Sequence, residues 1–126
     1  MQQATPFLQR LSRRYDMIVW WAAPVQIRGA FARLLRMGQL TASEHVGAQI
    51  RLRELRFKWL ELLPDEELRD QAERLIDRFP IKAADALQLS AALVWCSGRP
   101  TGRTFISGDS QLLDAARQLD FRAVEA

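Results

Sequence analysis

Apolar positions along the chain repeat with two periods, and the changes of period mark its elements. Met17-Ile18-Val19-Trp20-Trp21 is a continuous run of apolar β-formers and predicts a buried strand. Pro24 then opens a helix that runs to about Met37, with Ile27, Phe31 and Leu34 on one stripe, Arg28 and Arg36 off it, and Gly38 as its stop. Thr41-Ala42-Ser43-Glu44 reads as a capping box. The helix it starts is predicted to reach about Leu60, because Leu52, Leu55, Trp59 and Leu62 follow at spacings of three, four and three. Upstream, Thr5-Pro6 predicts a first helix with Phe7, Leu8 and Leu11 on its face. Pro64-Asp65-Glu66-Glu67 begins a further helix, its acids placed at the positive end of the helix dipole, and Pro80 interrupts it. Gly98, Pro100 and Gly102 mark a turn before the strand Thr104-Phe105-Ile106-Ser107. Gly108-Asp109-Ser110 leads into a helix through about Leu119, and Phe121-Arg122-Ala123-Val124 is a last short strand. Strands separated by helices predict an α/β fold with a short parallel sheet, and a length of 126 residues fits one domain.

One segment stands apart from the amphipathic helices. From Ala83 to Trp95 the chain carries a single charge, Asp85, and apolar residues face every side. Leu87, Ser90, Ala91 and Val94 recur at helical spacing and the opposite side is apolar too, so this helix is predicted to be buried nearly all round. A buried carboxylate must be paired, protonated or bound to a metal, because an isolated one is very costly. In parallel α/β sheets, ligands gather at the carboxyl ends of the strands. Asp109 lies just past the strand ending at Ser107, and Asp85 opens the preceding helix, so the two are expected to converge on one cleft. A magnesium ion takes hard oxygen ligands and needs only one or two carboxylates plus a substrate phosphate. Each acid also has a purely structural reading. Asp109 is a favoured N-cap, and Asp85 suits the first turn of a helix or a pair with Lys82.

Charge is unevenly distributed. Residues 1–60 hold ten Arg or Lys against three acids, whereas residues 61–126 hold eight against twelve. A basic half can attract a polyanion such as RNA, with Arg28, Arg33 and Arg36 as candidates on one helix, or it can simply be solvated helix faces. Other chemistry finds little support. His45 is the only histidine, so no histidine pair can ligate a metal and no Ser-His-Asp set stands out. Cys96 is the only cysteine, which excludes an intrachain disulfide; it reads as a packed thiol, and a reducing cytoplasm is the expected location. No apolar run approaches the length of a membrane span.

Three segments carry a family resemblance. Leu75 to Ala92, centred on Pro80-Ile81-Lys82-Ala83-Ala84-Asp85-Ala86, resembles the signature helix of PIN-domain proteins, and most of all the VapC-like toxins of bacterial type II toxin–antitoxin systems. Phe105-Ile106-Ser107-Gly108-Asp109-Ser110-Gln111-Leu112-Leu113 is similar to that family's strand-turn-helix bearing a further acid. Trp20-Trp21 followed by Val25-Gln26-Ile27-Arg28-Gly29-Ala30-Phe31 resembles its second strand and first conserved helix. The likeness spans residues 4–126. It implies a three-layer α/β/α sandwich and a Mg2+- or Mn2+-dependent endoribonuclease, with Asp85 and Asp109 as catalytic metal ligands. It also implies RNA as substrate, a cognate antitoxin as partner and a homodimer.

The departures from the family pattern bear on activity. Gln26 stands where the family usually has glutamate, and a neutral oxygen holds a cation less well than an anionic one. The family's opening strand, with its first aspartate, has no counterpart before Met17. Two of four usual acids are present, so weak metal binding is expected. The alternative is a degenerate PIN domain that binds RNA or protein without cutting. Without that strand, either the Met17 strand pairs directly with the Thr104 strand or another segment fills the gap.

Overall fold

A computed structural model describes residues 17–126, so the helix predicted at Thr5-Pro6 lies outside the described residues. The protein is a mixed α/β chain that divides into two compact units, the first ending at Glu61 and the second covering Leu62–Ala126.

The first unit begins with strand β1 (Ile18–Trp20), followed by helices α1 (Ala23–Arg36) and α2 (Ala42–Arg56). Pro24 sits in the first turn of α1, where its missing N–H costs nothing. Gly38, at a φ of 74°, turns the chain out of α1 in the left-handed region that glycine tolerates best. The capping box at α2 is complete: the Thr41 hydroxyl accepts from the Glu44 N–H at 3.1 Å, and the Glu44 carboxylate accepts from the Thr41 N–H at 2.9 Å. Phe31, Ala48, Leu52, Leu55 and Trp59 form the buried core, with Met17, Val19 and Ile27 packed against it.

The end of α2 differs from the sequence expectation. Helix α2 stops at Arg56, and Leu60–Leu62 is a strand, β2, paired with β1; the Leu60 N–H donates to the Met17 carbonyl at 3.0 Å. The strands thus hydrogen-bond as β1 with β2 and β3 with β4, and the direct pairing of the Met17 and Thr104 strands is not what forms.

The second unit holds helices α3 (Glu66–Arg78), α4 (Ala83–Trp95) and α5 (Ser110–Gln118), with strands β3 (Thr104–Ser107) and β4 (Arg122–Glu125). The last strand is shifted one residue from its expected place. β3 and β4 are parallel, with Thr104 opposite Arg122 and Ser107 opposite Glu125, and α5 is the crossover between them. Ala115 and Ala116 are both buried on α5; their small side chains let that helix lie close to its neighbours. Phe105 and Phe121 meet with ring centroids 5.7 Å apart, inside a core that also takes Leu75, Phe79, Leu89, Leu93 and Leu112.

Helix α4 is less enclosed than its composition predicts. Its buried residues are Ala86, Leu89, Ser90, Ala91 and Leu93, whereas Ala83, Ala84 and Trp95 are exposed and Leu87 and Val94 are half-buried. Cys96, which follows it, is a buried thiol whose Sγ lies 3.5 Å from the Leu93 carbonyl oxygen. The Ser90 hydroxyl is fully buried and donates to the Leu68 carbonyl of α3 at 2.6 Å. Asp65 caps the same turn of α3, its Oδ1 accepting from the Leu68 N–H at 2.8 Å. Leu68 is therefore held on both sides, which fixes α3 against the helix that carries Asp85. Among the described residues no helix is long and apolar enough to cross a membrane.

Candidate active site

Lys82 occupies the N-cap of α4 and gives no side-chain cap. Asp85, the third helical residue, replaces one: the Lys82 backbone N–H donates to its carboxylate. That is half of a capping-box geometry, in which an acid one turn into the helix reaches back to satisfy an orphan donor. Asp85 is half-buried and not enclosed, so the cost of its charge is partial.

Asp109 comes from the turn after β3. Its backbone is extended, and its Oδ1 accepts from the Leu112 N–H at 3.0 Å, which caps α5. The Ser107 hydroxyl accepts from the Asp109 N–H at 3.0 Å and braces the turn from behind. Asp109 is exposed. The cap engages Oδ1 and leaves Oδ2 as the atom a cation or solvent would meet.

The two acids share an electrostatic neighbourhood. Burial first, and then the like charge of Asp109, hold the Asp85 carboxyl above its ordinary value. The Lys82 N–H and the Lys82 ammonium pull in the opposite direction. Two carboxylates in one field repel, and a cation between them would relieve that repulsion. The donor set, anionic oxygen from two separate elements, suits a hard divalent ion that keeps part of its water shell. Among the described residues no three His, Cys, Asp or Glu side chains gather closely enough to hold a metal ion.

The remaining residues singled out in the sequence lie elsewhere. Gln26 is half-buried on α1, in the first unit, and Arg28, Arg33 and Arg36 are exposed on the same helix. His45 is half-buried, with its Nε2 3.5 Å from Gln49 Nε2. The Ser107 hydroxyl was not identifiable from the sequence as a support for Asp109. Its only local signal is a serine two residues before an N-cap aspartate.

No protein-family model matches the chain, and no curated protein matches it. The chain is a mixed α/β protein in which two carboxylates repel each other, one at the start of a helix and one just beyond a parallel strand.

Proposed function

We propose that this chain is a PIN-like, VapC-type endoribonuclease in which Asp85 and Asp109 hold a Mg2+ or Mn2+ ion. The observation that carries the reading is the electrostatic meeting of Asp85 and Asp109, which come from separate elements 24 positions apart. The order of sequence motifs supports it, as does a strand–helix–strand unit that presents Asp109 at the carboxyl end of β3. The proposal extends to the three-layer α/β/α sandwich of that family, to restraint by a cognate antitoxin and to a homodimer.

In this reading Asp109 is the positioned ligand. Its cap on Leu112 and the Ser107 bond fix the carboxylate, and its exposure leaves room for a phosphodiester. Asp85 supplies the second anionic oxygen from a partly desolvated setting, where its attraction for a cation is less screened. Lys82, exposed and close enough for its charge to act on Asp85, offers an ammonium to a substrate phosphate. The ion, when bound, would polarise the scissile phosphate and lower the pKa of an attacking water. RNA cleavage at millimolar magnesium that disappears with EDTA and with Asp85→Asn is the expected result. Metal-independent cleavage, or none at all, refutes the proposal.

A second reading rests on the sequence. Gln26 stands where the resembled family usually has glutamate, and only Asp85 and Asp109 match its acids, which favours a degenerate PIN domain that binds RNA or protein and cuts nothing. A manganese titration followed at the Asp85 and Asp109 carboxyl resonances separates the two. Coupled, saturable shifts at both acids support the nuclease, and no shift at either leaves the binding module.

A further inference from the structure

The far end of α2 concentrates cations around one ring. Phe57, where that helix ends, is 86% exposed, more than any other large apolar side chain among the described residues. Its backbone is still helical, so Arg53 lies one turn before it on the same side, and Arg56 and Lys58 flank it. All three cations are exposed. The acid on this turn, Glu54, is taken by Arg51 at 3.1 Å, and Arg53, Arg56 and Lys58 make no ion pair among the described residues. Arg53 and Arg56 complement the negative end of the helix dipole, which accounts for two cations. It does not account for a phenyl ring left in water among them.

Two kinds of surface leave an aromatic exposed. A protein-binding face gathers apolar side chains at its centre and charges at its rim. Here Arg53 stands in the middle of the outward series Val46, Ile50, Phe57 and Leu60, so a charge sits where such a face would have its apolar centre. An exposed ring with one cation a turn away on its own side and two more adjacent in the chain is instead an arrangement suited to a single nucleic-acid strand, because every base has a face to stack and every phosphate a charge to neutralise. We propose that Arg53, Arg56, Phe57 and Lys58 form a contact site for single-stranded RNA, with one base stacked on Phe57 and neighbouring phosphates on the three cations. The site itself stands on its own geometry; that the strand is RNA rests on the ribonuclease reading.

The test is fluorescence anisotropy of the full chain with a labelled uridine oligomer about ten nucleotides long. EDTA is present throughout, so that no strand is cut. Phe57→Ala is expected to weaken binding about tenfold, the range of one lost base stack. The triple variant R53A/R56A/K58A is expected to flatten the plot of log affinity against log salt by about two units, since each lost single-strand phosphate contact contributes about 0.7. Circular dichroism checks that both variants fold, which their exposed positions favour. The site is overturned if both variants bind like the unmodified chain, or if only R28A/R33A/R36A loses affinity. It is also overturned if Phe57→Ala has no effect, or if the chain binds polyglutamate and not the oligomer. Cleavage with magnesium is scored separately. Phe57-dependent binding without cleavage removes the nuclease reading alone, and cleavage with Phe57-independent binding removes this site alone.

Discussion

Ser90→Ala tests the frame that holds the carboxylate helix. The Ser90 hydroxyl is fully buried, and its partner is the Leu68 carbonyl at 2.6 Å. A bond of this kind contributes about 1 kcal/mol net. The carbonyl belongs to an α-helical residue, so the helix's own bond from four residues on also uses it, and losing the hydroxyl does not orphan it. The larger penalty of a stranded acceptor therefore does not apply. Deleting the oxygen leaves a void of roughly 20 Å³ in a closed site, worth about 0.5 kcal/mol. Alanine's better helix propensity returns about 0.5 kcal/mol. The last two effects cancel, and the expected net loss is about 1 kcal/mol. At this chain length that corresponds to a fall in Tm of about 3–5 °C. Urea denaturation followed by circular dichroism gives the value directly, with an unchanged slope against denaturant if only the folded state is affected. A midpoint equal to or above that of the unmodified chain would mean the hydroxyl does not bridge α3 and α4.

Four further substitutions, at three positions, address the site and the caps. Asp109→Ala removes the cap on Leu112 and is expected to cost about 1 kcal/mol, whereas Asp109→Asn keeps the cap at little cost while removing the charge; on the nuclease reading both abolish metal-dependent cleavage, and denaturation tells them apart. Asp85 has a raised folded-state pKa, so between its ordinary and raised values the native state holds a proton that the unfolded chain releases, and stability falls as pH rises through that window. In EDTA, Asp85→Asn is therefore expected to gain stability relative to the unmodified chain as pH climbs from about 4, the ordinary aspartate value; a difference independent of pH refutes the raised value. Thr41→Ala breaks a complete capping box and is expected to cost about 1 kcal/mol in thermal denaturation, and a change near zero would show that the cap is not formed in solution.

Local chemistry made parts of the fold legible, and tertiary pairing hid the rest. Thr41 and Glu44, Asp65 before its helix, and Asp109 after Ser107 announce helix starts through side chains that satisfy backbone donors a few residues away. Such signals need nothing distant. β2 had none: Leu60-Glu61-Leu62 contains good helix formers, and Leu62 continues the helical spacing of Leu52, Leu55 and Trp59. What makes it a strand is β1, through the bond from Leu60 to Met17, and a partner 43 positions away leaves no trace in a local period. The expected burial of α4 failed for a different reason. Alanine is indifferent to exposure, so Ala83 and Ala84 made the helix look apolar without requiring cover, and the stripe that is buried runs through Ala86, Leu89, Leu93 and Cys96.

Asp85 and Asp109 lie within electrostatic reach of each other, and the topology accounts for it: one opens the helix before a strand and the other follows the strand's end. Its chemistry divides at the level of single oxygens. A carboxylate has two, and the cap on Leu112 uses one, so on the nuclease reading a metal ion would meet the other oxygen of Asp109. On the nuclease reading the cap would help ligation, because a carboxylate held by one hydrogen bond loses part of its side-chain rotation. On that reading the structural role and the chemical role fall on the two oxygens of one carboxylate. Alanine at position 109 would then remove both, whereas asparagine keeps a capping oxygen, loses only the charge and isolates the chemistry.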